Sequence, residues 1–599
     1  MTATPIWFGR EDRPLHGWLH RPGSGVARGA IVICPPVGID RSYSGINLRL
    51  LARSLEEAGF VVMRFDYDGT GQSAGDMADP DRVGSWLESV SAAVDVVREA
   101  GSTWVGAIGL RLGATLAANA ASRVGGFDLL VLWDPYLSGT AFLREQSAVK
   151  LGVLPQVSER VHGLAAPGYV LPPEAVAELQ GLEIPSREEL RADRVLVLTD
   201  PLRRTDRRLA ERLRGGGVEW QEYCEKSDLF DTGRLDYTSP RPLLDQIVSW
   251  AGEACDGHPI PLVSGQTPRT TAVVACGDDG LPVVEENVRL GSLGLFGIMC
   301  TTELDAAATD KRPSILFLTI AAESSIGPAR QWVEYARRLA SDGIRSVRFD
   351  FSSVGESPTR PGQEERALYS PEALNDIEDA AKAISPDDPG NVILIGVCSG
   401  AYAALSAAPH VRPRAVVAIN PIMTEWGNQA AAGSLPPESE NGARRGVRAH
   451  STDRRPLGAV IRSRMRDTRL RTVVVEHLPP SLWRIVFALG LSHSPAQLLT
   501  PVQKAGVPTL LICGEEEAHA AKTRTPGALR RLAADGVSRF EELPTLNHSL
   551  LHATNRETVF DLIRTFIEKP ALAFDSSRSS IGTPPHRPAP DADPEYART

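Results

Sequence analysis

Cys398 lies at the centre of a stretch, ILIGVCSGAY, whose residue types and spacing predict covalent chemistry. An apolar run ends in Gly396, and Gly400 follows the cysteine before a run of small residues typical of a helix. A Gly-x-nucleophile-x-Gly turn between a strand and a helix presents its central side chain at the end of a sheet. The start of the helix also favours the thiolate, which is the nucleophilic form of cysteine. The stretch therefore predicts a reactive thiol.

Two other interpretations of this stretch are open. Free cysteine is often a small buried core residue, and Cys398 fits that description too. Ser399 carries a hydroxyl that could attack instead, although the spacing of Gly396 and Gly400 puts the cysteine at the centre of the turn. The two glycines are predicted to be required because a side chain there would collide with the strand or the helix.

The same outline occurs earlier in the chain, in GAIGLRLGAT, with Arg111 at the central position. Arginine is planar, always charged and not a nucleophile. The stretch 220–235, near the end of the first half, contains no histidine, and His16, His20 and His162 lie at other points of the chain. The first copy of the turn is therefore predicted to lack both a nucleophile and a base.

An internal repeat supplies the elements that must position these turns. LRLLARSLEEAGFVVMRFDYDGTGQSAG (48–75) corresponds to VEYARRLASDGIRSVRFDFSSVGESPT (333–359), and each predicts an amphipathic helix, a glycine turn, a buried strand and a loop. Two further strands of the first half, 129–136 and 194–200, correspond to 415–422 and 508–514 of the second. Strands alternating with helices predict a doubly wound, mostly parallel sheet in each half.

Boundaries and insertions complete this organisation. We predict a first domain over 1–253, a linker over 254–270, a second domain over 271–569 and a disordered tail over 570–599. Each half also carries an insertion before its strand at 194–200 or 508–514, of the kind that covers a site as a lid.

Composition excludes several classes of protein. A net charge of −10 argues against a general nucleic-acid binder, and the seven cysteines are scattered without metal-ligand spacing or CxxC pairs. No apolar run reaches the ~18 residues of a membrane span, and DGTGQSAG lacks the Lys-Ser/Thr ending of a phosphate loop. We therefore expect a soluble cytoplasmic protein with no metal and no cofactor.

The order of the elements, together with the two turns, resembles the α/β-hydrolase fold in tandem over nearly the whole chain except the tail. Through GLRLGA and LVLWDPY, the first half is similar to hydrolase-like proteins associated with exosortase systems. Through GVCSGAY, the second half resembles bacterial cysteine-nucleophile α/β hydrolases of exopolysaccharide and natural-product pathways.

The resemblance implies a base and an acid for Cys398. The acid of this fold follows the strand at 508–514, where Glu517 matches the G-x-x-D position and Glu515 and Glu516 are close competitors. The base follows the final strand, where His548 precedes a helix. His552, one turn further, is expected to pack or to face solvent. The resulting order of nucleophile, acid and histidine is that of α/β hydrolases.

The resemblance also implies an oxyanion hole built from two backbone N–H groups. One is expected from Ser399, and the other by position from Ala321 or its neighbour Ala322. In the first half, Asp200 is a candidate ion-pair partner for Arg111. That half is expected to be a degenerate hydrolase that acts as a scaffold, docks a partner or binds an anion through Arg111.

These observations predict an acyl hydrolase or thioesterase that forms an acyl-enzyme on cysteine. An acyltransferase to an alcohol or amine is the first alternative, and a non-catalytic scaffold in a polysaccharide or natural-product pathway is the second. The expected partner is an ester or thioester, with an acyl carrier protein or coenzyme A as its carrier. Arginines over 441–471 would suit a phosphopantetheine group or a solvated lid face.

Overall fold

The computed structural model of the protein describes most of the two halves. The described residues are 3–153, 162–200, 207–223, 239–255, 259–263, 268–277, 280–302, 312–320, 324–363, 370–421, 482, 495–524 and 526–569. The predicted tail over 570–599 and the arginine-rich stretch over 441–471 lie outside them.

Helices and strands alternate through both halves. The strands of the first half and the linker are β1 Thr4–Phe8, β2 Leu15–His20, β3 Val26–Ala27, β4 Gly29–Cys34, β5 Phe60–Phe65, β6 Val105–Leu110, β7 Phe127–Trp133, β8 Leu164–Ala166, β9 Tyr169–Leu171, β10 Ala192–Thr199, β11 Val218–Glu222 and β12 Ile260–Pro261. The helices there are α1 Ile39–Glu57, α2 Arg82–Glu99, α3 Leu112–Ala120, α4 Gly139–Val153, α5 Pro173–Gly181, α6 Arg207–Arg212 and α7 Arg241–Ala254.

The second half repeats this alternation. Its strands are β13 Thr271–Cys276, β14 Pro282–Leu290, β15 Leu295–Thr302, β16 Ser314–Phe317, β17 Ser346–Phe349, β18 Val392–Val397, β19 Ala415–Ile419, β20 Thr509–Cys513 and β21 Arg539–Glu542. Its helices are α8 Gln331–Ser341, α9 Glu372–Ile384, α10 Ser399–Val411, α11 Pro495–Lys504, α12 Glu515–Arg524, α13 Pro526–Leu532 and α14 Ala553–Ile567.

The two halves form two sheets with the same plan. The first sheet has the order β1-β2-β5-β4-β6-β7-β10-β11, and the second has the order β13-β14-β15-β17-β16-β18-β19-β20-β21. In each sheet the strands up to β5 or β17 pair antiparallel, and every later pair is parallel. This is the α/β-hydrolase fold with mostly parallel sheets, so the predicted fold class is confirmed. Strand β13 is an addition that the sequence repeat did not reveal.

Alternate residues of the central strands feed separate cores on the two faces of each sheet. In β4, Ile31 and Ile33 belong to the cluster beside α1 and α7, whereas Ala30 and Val32 belong to the cluster beside α2 and α3. Each strand is therefore buried on both sides, as expected of a parallel strand covered by helices on both faces. The carboxyl ends of these strands are left as the edge at which loops can form a site.

The loops that follow β5 and β17 join the halves through a near-symmetric contact. The repeat aligns Arg64 with Arg348 and Gln72 with Glu356. Arg64 Nη1 donates to Glu356 Oε1 at 2.9 Å, and Arg348 Nε donates to Gln72 Oε1 at 2.9 Å. The two halves thus pack as the subunits of a twofold dimer do, with equivalent residues exchanging contacts.

The stretch predicted as a linker also contacts the first half. Ile260 and Pro261 of β12 pair antiparallel with β3, and the Trp7 N–H donates to the carbonyl of Arg269 at 2.8 Å. None of the described helices is long and apolar enough to cross a lipid bilayer.

Candidate active site

Cys398 occupies a sharp turn between β18 and α10, which we call the elbow (residues 396–400). Its φ of 53° and ψ of −113° lie outside the regions that a non-glycine residue favours. The N–H of Cys398 donates to the carbonyl of Ile419 at 2.9 Å, and the next turn begins with Tyr402 donating to the Cys398 carbonyl at 3.0 Å. Hydrogen bonds from the neighbouring strand and from the helix therefore hold the strained conformation.

Gly396 and Gly400 have no room for a side chain. A Cβ at Gly396 would lie 2.3 Å from the carbonyl carbon of Gly400, and a Cβ at Gly400 would lie 2.6 Å from the Thr319 carbonyl oxygen. Both contacts are with backbone atoms, so neither can be relieved by a rotamer change. This is the physical reason that the sequence pattern required glycine at these two positions.

Cys398, His548 and Glu517 form a continuous chain of contacts. The side chains of Cys398 and His548 share a hydrogen bond. On the other side of the ring, Nδ1 of His548 is 2.7 Å from Oε1 of Glu517. Cys398 is 2% exposed, while the His548 and Glu517 side chains are 33% and 19% exposed. A buried thiol is thus linked through one imidazole to a partly exposed carboxylate.

The two partners shift the protonation of His548. Burial alone lowers the pKa of His548, but the hydrogen bonds and charges of Cys398 and Glu517 outweigh burial and raise this pKa well above its usual range. Burial likewise raises the pKa of Glu517, and the hydrogen bond from His548 more than compensates and lowers it. The arrangement therefore favours a protonated imidazole beside the Glu517 carboxylate.

The remaining residues of the predicted site have different placements. Glu515 and Glu516 are exposed at the start of α12, and Glu517 is the carboxylate that the structure brings to His548. His552 is 3% exposed at the N-cap of α14. Ser399 is the first residue of α10, as an oxyanion donor would require. Ala321 and Ala322 lie outside the described residues.

Asn420, which the sequence did not indicate, connects the loops that carry Glu517 and His548. Its Nδ2 donates to the carbonyls of Asn547 and His548 at 3.1 and 3.2 Å, and its Oδ1 accepts from the Gly514 N–H at 2.7 Å. One buried amide therefore joins the end of β19 to the loops that carry the acid and the histidine. The available signal was the pairing of AVVAINPI with LLVLWDPY, which aligns Asn420 with Asp134.

Asp350, directly after β17, connects two loops through hydrogen bonds. Its Oδ1 accepts from the Ser325 N–H at 2.6 Å, and its Oδ2 accepts from the Glu356 N–H at 2.8 Å. Burial raises the pKa of Asp350 to about 7. Ser325, which follows the predicted oxyanion donors Ala321 and Ala322 in the sequence, is thus held by a backbone hydrogen bond to Asp350.

The elbow of the first half has the same backbone and different side-chain partners. Arg111 has φ 57° and ψ −121°, and its N–H donates to the Trp133 carbonyl at 2.8 Å. Its guanidinium contacts Tyr136 and Glu145 and lies 3.3 Å from Asp40 Oδ2. The position of a nucleophile is thus filled by a buried cation with two carboxylate partners.

Two carboxylates other than the predicted partner Asp200 lie against Arg111. The carboxylates placed against the guanidinium are Asp40 and Glu145, neither of which the sequence reading singled out. The N–H of Asp200 donates to Asp134 at 2.9 Å, as the N–H of Gly514 donates to Asn420 in the second half. Residues 224–235, which make up most of the stretch that contains no histidine, lie outside the described residues.

The other described cysteines differ from Cys398 in their surroundings. Burial raises the pKa of Cys34 to about 12, and it raises the pKa of Cys300 and Cys513 further. Cys276 is exposed. Within the described ranges, no group of three or more His, Cys, Asp or Glu side chains is arranged to hold a metal ion.

Comparison with known proteins gives one family match. Residues 324–562, which include the elbow, Glu517 and His548, match the model of the Alpha/beta hydrolase family. No curated protein matches the sequence. The family match and the fold support hydrolase chemistry in the second half.

The solved structures to which the chain is similar are distant in sequence. The chain is similar to Est1E from Butyrivibrio proteoclasticus with ferulic acid bound, at 16% identity over 42% of this chain and 98% of that chain, with a TM-score of 0.32. An esterase of Pyrococcus furiosus shares 17% identity over 42% of this chain and 89% of that chain, with a TM-score of 0.30. Alpha/beta hydrolase domain-containing protein 10 from mouse shares 18% identity over 42% and 99%, with a TM-score of 0.29.

Proposed function

We propose that the second half is an acyl hydrolase that cleaves an ester or thioester through an acyl-enzyme on Cys398. The observation that carries this proposal is the hydrogen-bonded chain from Cys398 through His548 to Glu517 at a strained elbow. A nucleophile within reach of a base, which a third group orients, is the general arrangement of covalent acyl transfer.

The raised pKa of His548 assigns a role to each member. The imidazole accepts the thiol proton and holds it, because a thiolate on one side and Glu517 on the other stabilise the imidazolium. The thiolate attacks the acyl carbon, and the N–H of Ser399 supports the developing oxyanion. His548 then gives its proton to the leaving group, and water hydrolyses the acyl-enzyme.

We propose further that the first half, residues 1–253, has no hydrolytic activity of its own. Its elbow carries Arg111, whose guanidinium is paired with Asp40 and Glu145. Arginine stays protonated at neutral pH and therefore cannot act as a nucleophile. The contribution of the first half is structural, since its loops contact the half that carries Cys398. The domain boundaries predicted from sequence, 254–270 and 271–569, are part of this proposal.

The decisive test of the catalytic thiol is its reactivity relative to an exposed thiol in the same molecule. Iodoacetamide at neutral pH should modify Cys398 faster than Cys276, although Cys276 is exposed and Cys398 is 2% exposed. Peptide mapping after short exposures measures both rates in one sample. His548→Ala should slow Cys398 and leave Cys276 unchanged. A Cys398 that reacts more slowly than Cys276 in the wild type would contradict the proposal.

A serine variant and two classes of substrate test why the nucleophile is a thiol. A thiolate attacks without losing a proton in the transition state, so Cys398→Ser should keep the fold and lose most activity. We expect the wild type to prefer acyl-thioesters, such as acyl-coenzyme A, over p-nitrophenyl esters. Product analysis with an added alcohol or amine separates a hydrolase from an acyltransferase. A serine variant as fast as the wild type on either panel would remove the thiol from the mechanism.

A further inference from the structure

A cavity of about 370 Å³ lies between the two halves, apart from the elbow. Its walls come from α1, from the loops after β5 and β17, and from the tip of the β8–β9 hairpin. Ser549 and Leu551, in the loop that follows His548, form part of another wall. Neither Cys398 nor His548 lines the cavity. It is therefore a second concave site, built jointly by both halves.

Most charged groups around the cavity already have partners. Arg41 pairs with Asp66 at 2.8 Å, and Arg64 pairs with Glu356 at 2.9 Å. Arg330 donates to three backbone carbonyls of the loop after β5, at 2.5 to 2.9 Å. The only carboxylate within reach of Arg556 is Glu334, at 4.0 Å, among the described residues. Most of the charged side chains around the cavity therefore already interact with other protein groups.

Arg49 is the exception. It is 8% exposed and lines the cavity, and among the described residues its guanidinium makes no hydrogen bond and no close ion pair, while the carboxylates of Glu356 and Asp350 act on its charge from a longer distance. Burial lowers the pKa of Arg49, although arginine stays charged at neutral pH. The N–H groups of Arg49 therefore remain available on the cavity wall, and an anion in the cavity can accept from them.

The internal repeat shows that this cation is specific to one half. When Gly59 is aligned with Gly343, Arg49 falls opposite Val333, which is fully buried in the apolar core of the second half. The fold therefore does not need arginine at this point of the helix. The valine demonstrates that an apolar residue satisfies the same packing position.

The rest of the cavity wall is partly apolar. Trp18 and Phe296, one from each half, pack edge to face with ring centroids 4.6 Å apart. Ile39, Ile46 and Ile326 add aliphatic surface. A ligand that fills this space needs an apolar body as well as a charged end.

We propose that the cavity between the halves binds a small amphipathic organic anion whose carboxylate or phosphate contacts Arg49. The planar guanidinium suits both anions, since each can accept two parallel N–H bonds. The apolar body lies against Trp18 and Phe296. A ligand at this place contacts Ser549 and Leu551, so it stabilises the loop that carries His548 without entering the elbow.

Calorimetric titration of the full chain with simple probes tests the site. Octanoate and octyl phosphate should both bind, and both should bind more tightly than inorganic phosphate or octanol. Arg49→Met should weaken the two eight-carbon anions by about tenfold or more, as expected for a lost charged hydrogen bond. Arg53→Met, at an exposed arginine of the same helix, is the matched control and should bind as the wild type does.

Three results would overturn the proposal: unchanged anion affinity in Arg49→Met, octanol binding as tightly as octanoate, or loss of binding after iodoacetamide has blocked Cys398. The last result would place the probe at the elbow. Arg49→Lys provides a second variant that retains the charge, and it should bind octyl phosphate more weakly than the wild type and more tightly than Arg49→Met. Equal affinities of the three proteins for octyl phosphate would exclude Arg49 as the anchor.

Discussion

The two elbows of this chain have the same backbone conformation, but their central side chains and the partners of those side chains differ. The φ angles of Arg111 and Cys398 are 57° and 53°, and each N–H donates to the end of the neighbouring strand at 2.8 or 2.9 Å. In one elbow the central side chain meets two carboxylates, and in the other it meets an imidazole. A strained turn is therefore compatible with a side chain that cannot act as a nucleophile, and strain alone does not identify a nucleophile.

The glycines show why the first elbow has kept its shape. A Cβ at Gly109 would lie 2.4 Å from the Cα of Ala114, and a Cβ at Gly113 would lie 2.3 Å from the carbonyl oxygens of Cys34 and Pro35. These are backbone clashes of the same kind as those at Gly396 and Gly400. The close approach of strand and helix thus requires glycine whether or not the turn carries chemistry.

The largest difference between the two halves is expected when His548 and Arg111 are substituted separately. His548→Ala should lower turnover by about 10²–10⁴, the range expected for the loss of a general base. Arg111→Ala should leave turnover per folded molecule nearly unchanged, because Arg111 has no catalytic role in the proposed mechanism. Steady-state kinetics on a thioester, normalised to folded protein, measures both. A comparable loss in the two variants would show that the first half contributes to the reaction.

The second prediction concerns stability. Arg111 is 3% exposed and is paired with Asp40, whose side chain is 15% exposed, so Arg111→Met leaves a largely buried carboxylate without this partner. Breaking a buried pair costs about 3–5 kcal/mol, and we expect the lower end because Glu145 stays 34% exposed. Denaturant unfolding of the full chain measures the change.

The pH dependence of the same variant follows from Asp40. Burial raises the pKa of Asp40, and Arg111 opposes that rise. Without Arg111 the folded state binds a proton at Asp40 more readily than the unfolded state does, so the variant loses stability as pH rises. The deficit should therefore be smaller at acidic pH, and Arg111→Met combined with Asp40→Asn should recover part of it. A deficit that is independent of pH would contradict this cause.

Much of the fold could be predicted because it follows from local patterns. Apolar runs separated by amphipathic helices indicate parallel strands, and the glycine spacing at 396 and 400 indicates the elbow. The position of Glu517 three residues after Gly514 was sufficient to favour it over its two neighbours. Strand β13 was missed because it has no counterpart in the first half to mark it.

The interactions that the sequence could not reveal are those between distant segments. Asp40 and Glu145 reach Arg111 from α1 and from the insertion, and nothing local to either residue indicates this. Arg49 lies in an amphipathic helix whose pattern predicts only a partly buried face. Its place on the wall of the cavity depends on how the two halves pack, which is a property of the tertiary structure alone.

The third prediction sharpens the comparison between Asn420 and Asp134, which have the same φ of 45°. Glycine tolerates this φ, so Asn420→Gly removes the amide without adding strain. Three lost hydrogen bonds of about 0.5–1.5 kcal/mol each should destabilise the protein, and kcat should fall about tenfold with KM little changed. Kinetics and unfolding of the same preparations measure the two effects.

Asp134→Gly is the matched control for Asn420→Gly. It should lower stability and leave turnover per folded molecule intact, because Asp134 contacts Asp200 and Tyr223 in the half without a nucleophile. Asn420→Asp retains the acceptor for Gly514 and loses the two donors, so it should show an intermediate kcat. If Asn420→Gly only destabilises the fold, the positioning role is wrong.

The smallest effect is expected from the residue that only tunes the base. Glu517→Gln keeps an oxygen near Nδ1 of His548 and removes the negative charge. Since that charge and hydrogen bond raise the pKa of His548, the variant should lose its imidazolium proton at a lower pH than the wild type. The leaving group needs that proton, so the alkaline limb of kcat/KM should move to lower pH while the maximal rate changes less than in His548→Ala.

Stability gives the same sign independently. A group whose pKa is raised by folding stabilises the folded state below its unfolded pKa, and this contribution disappears as pH rises through the folded pKa. The wild type should therefore lose stability relative to Glu517→Gln on going to alkaline pH. Glu516→Gln removes a charge from an exposed neighbour and should shift neither the kinetic limb nor the stability profile. An alkaline limb that is the same in Glu517→Gln and the wild type would assign the raised pKa of His548 to Cys398 alone, and one that moves equally in Glu516→Gln would show that the effect is not specific to the hydrogen-bonded carboxylate.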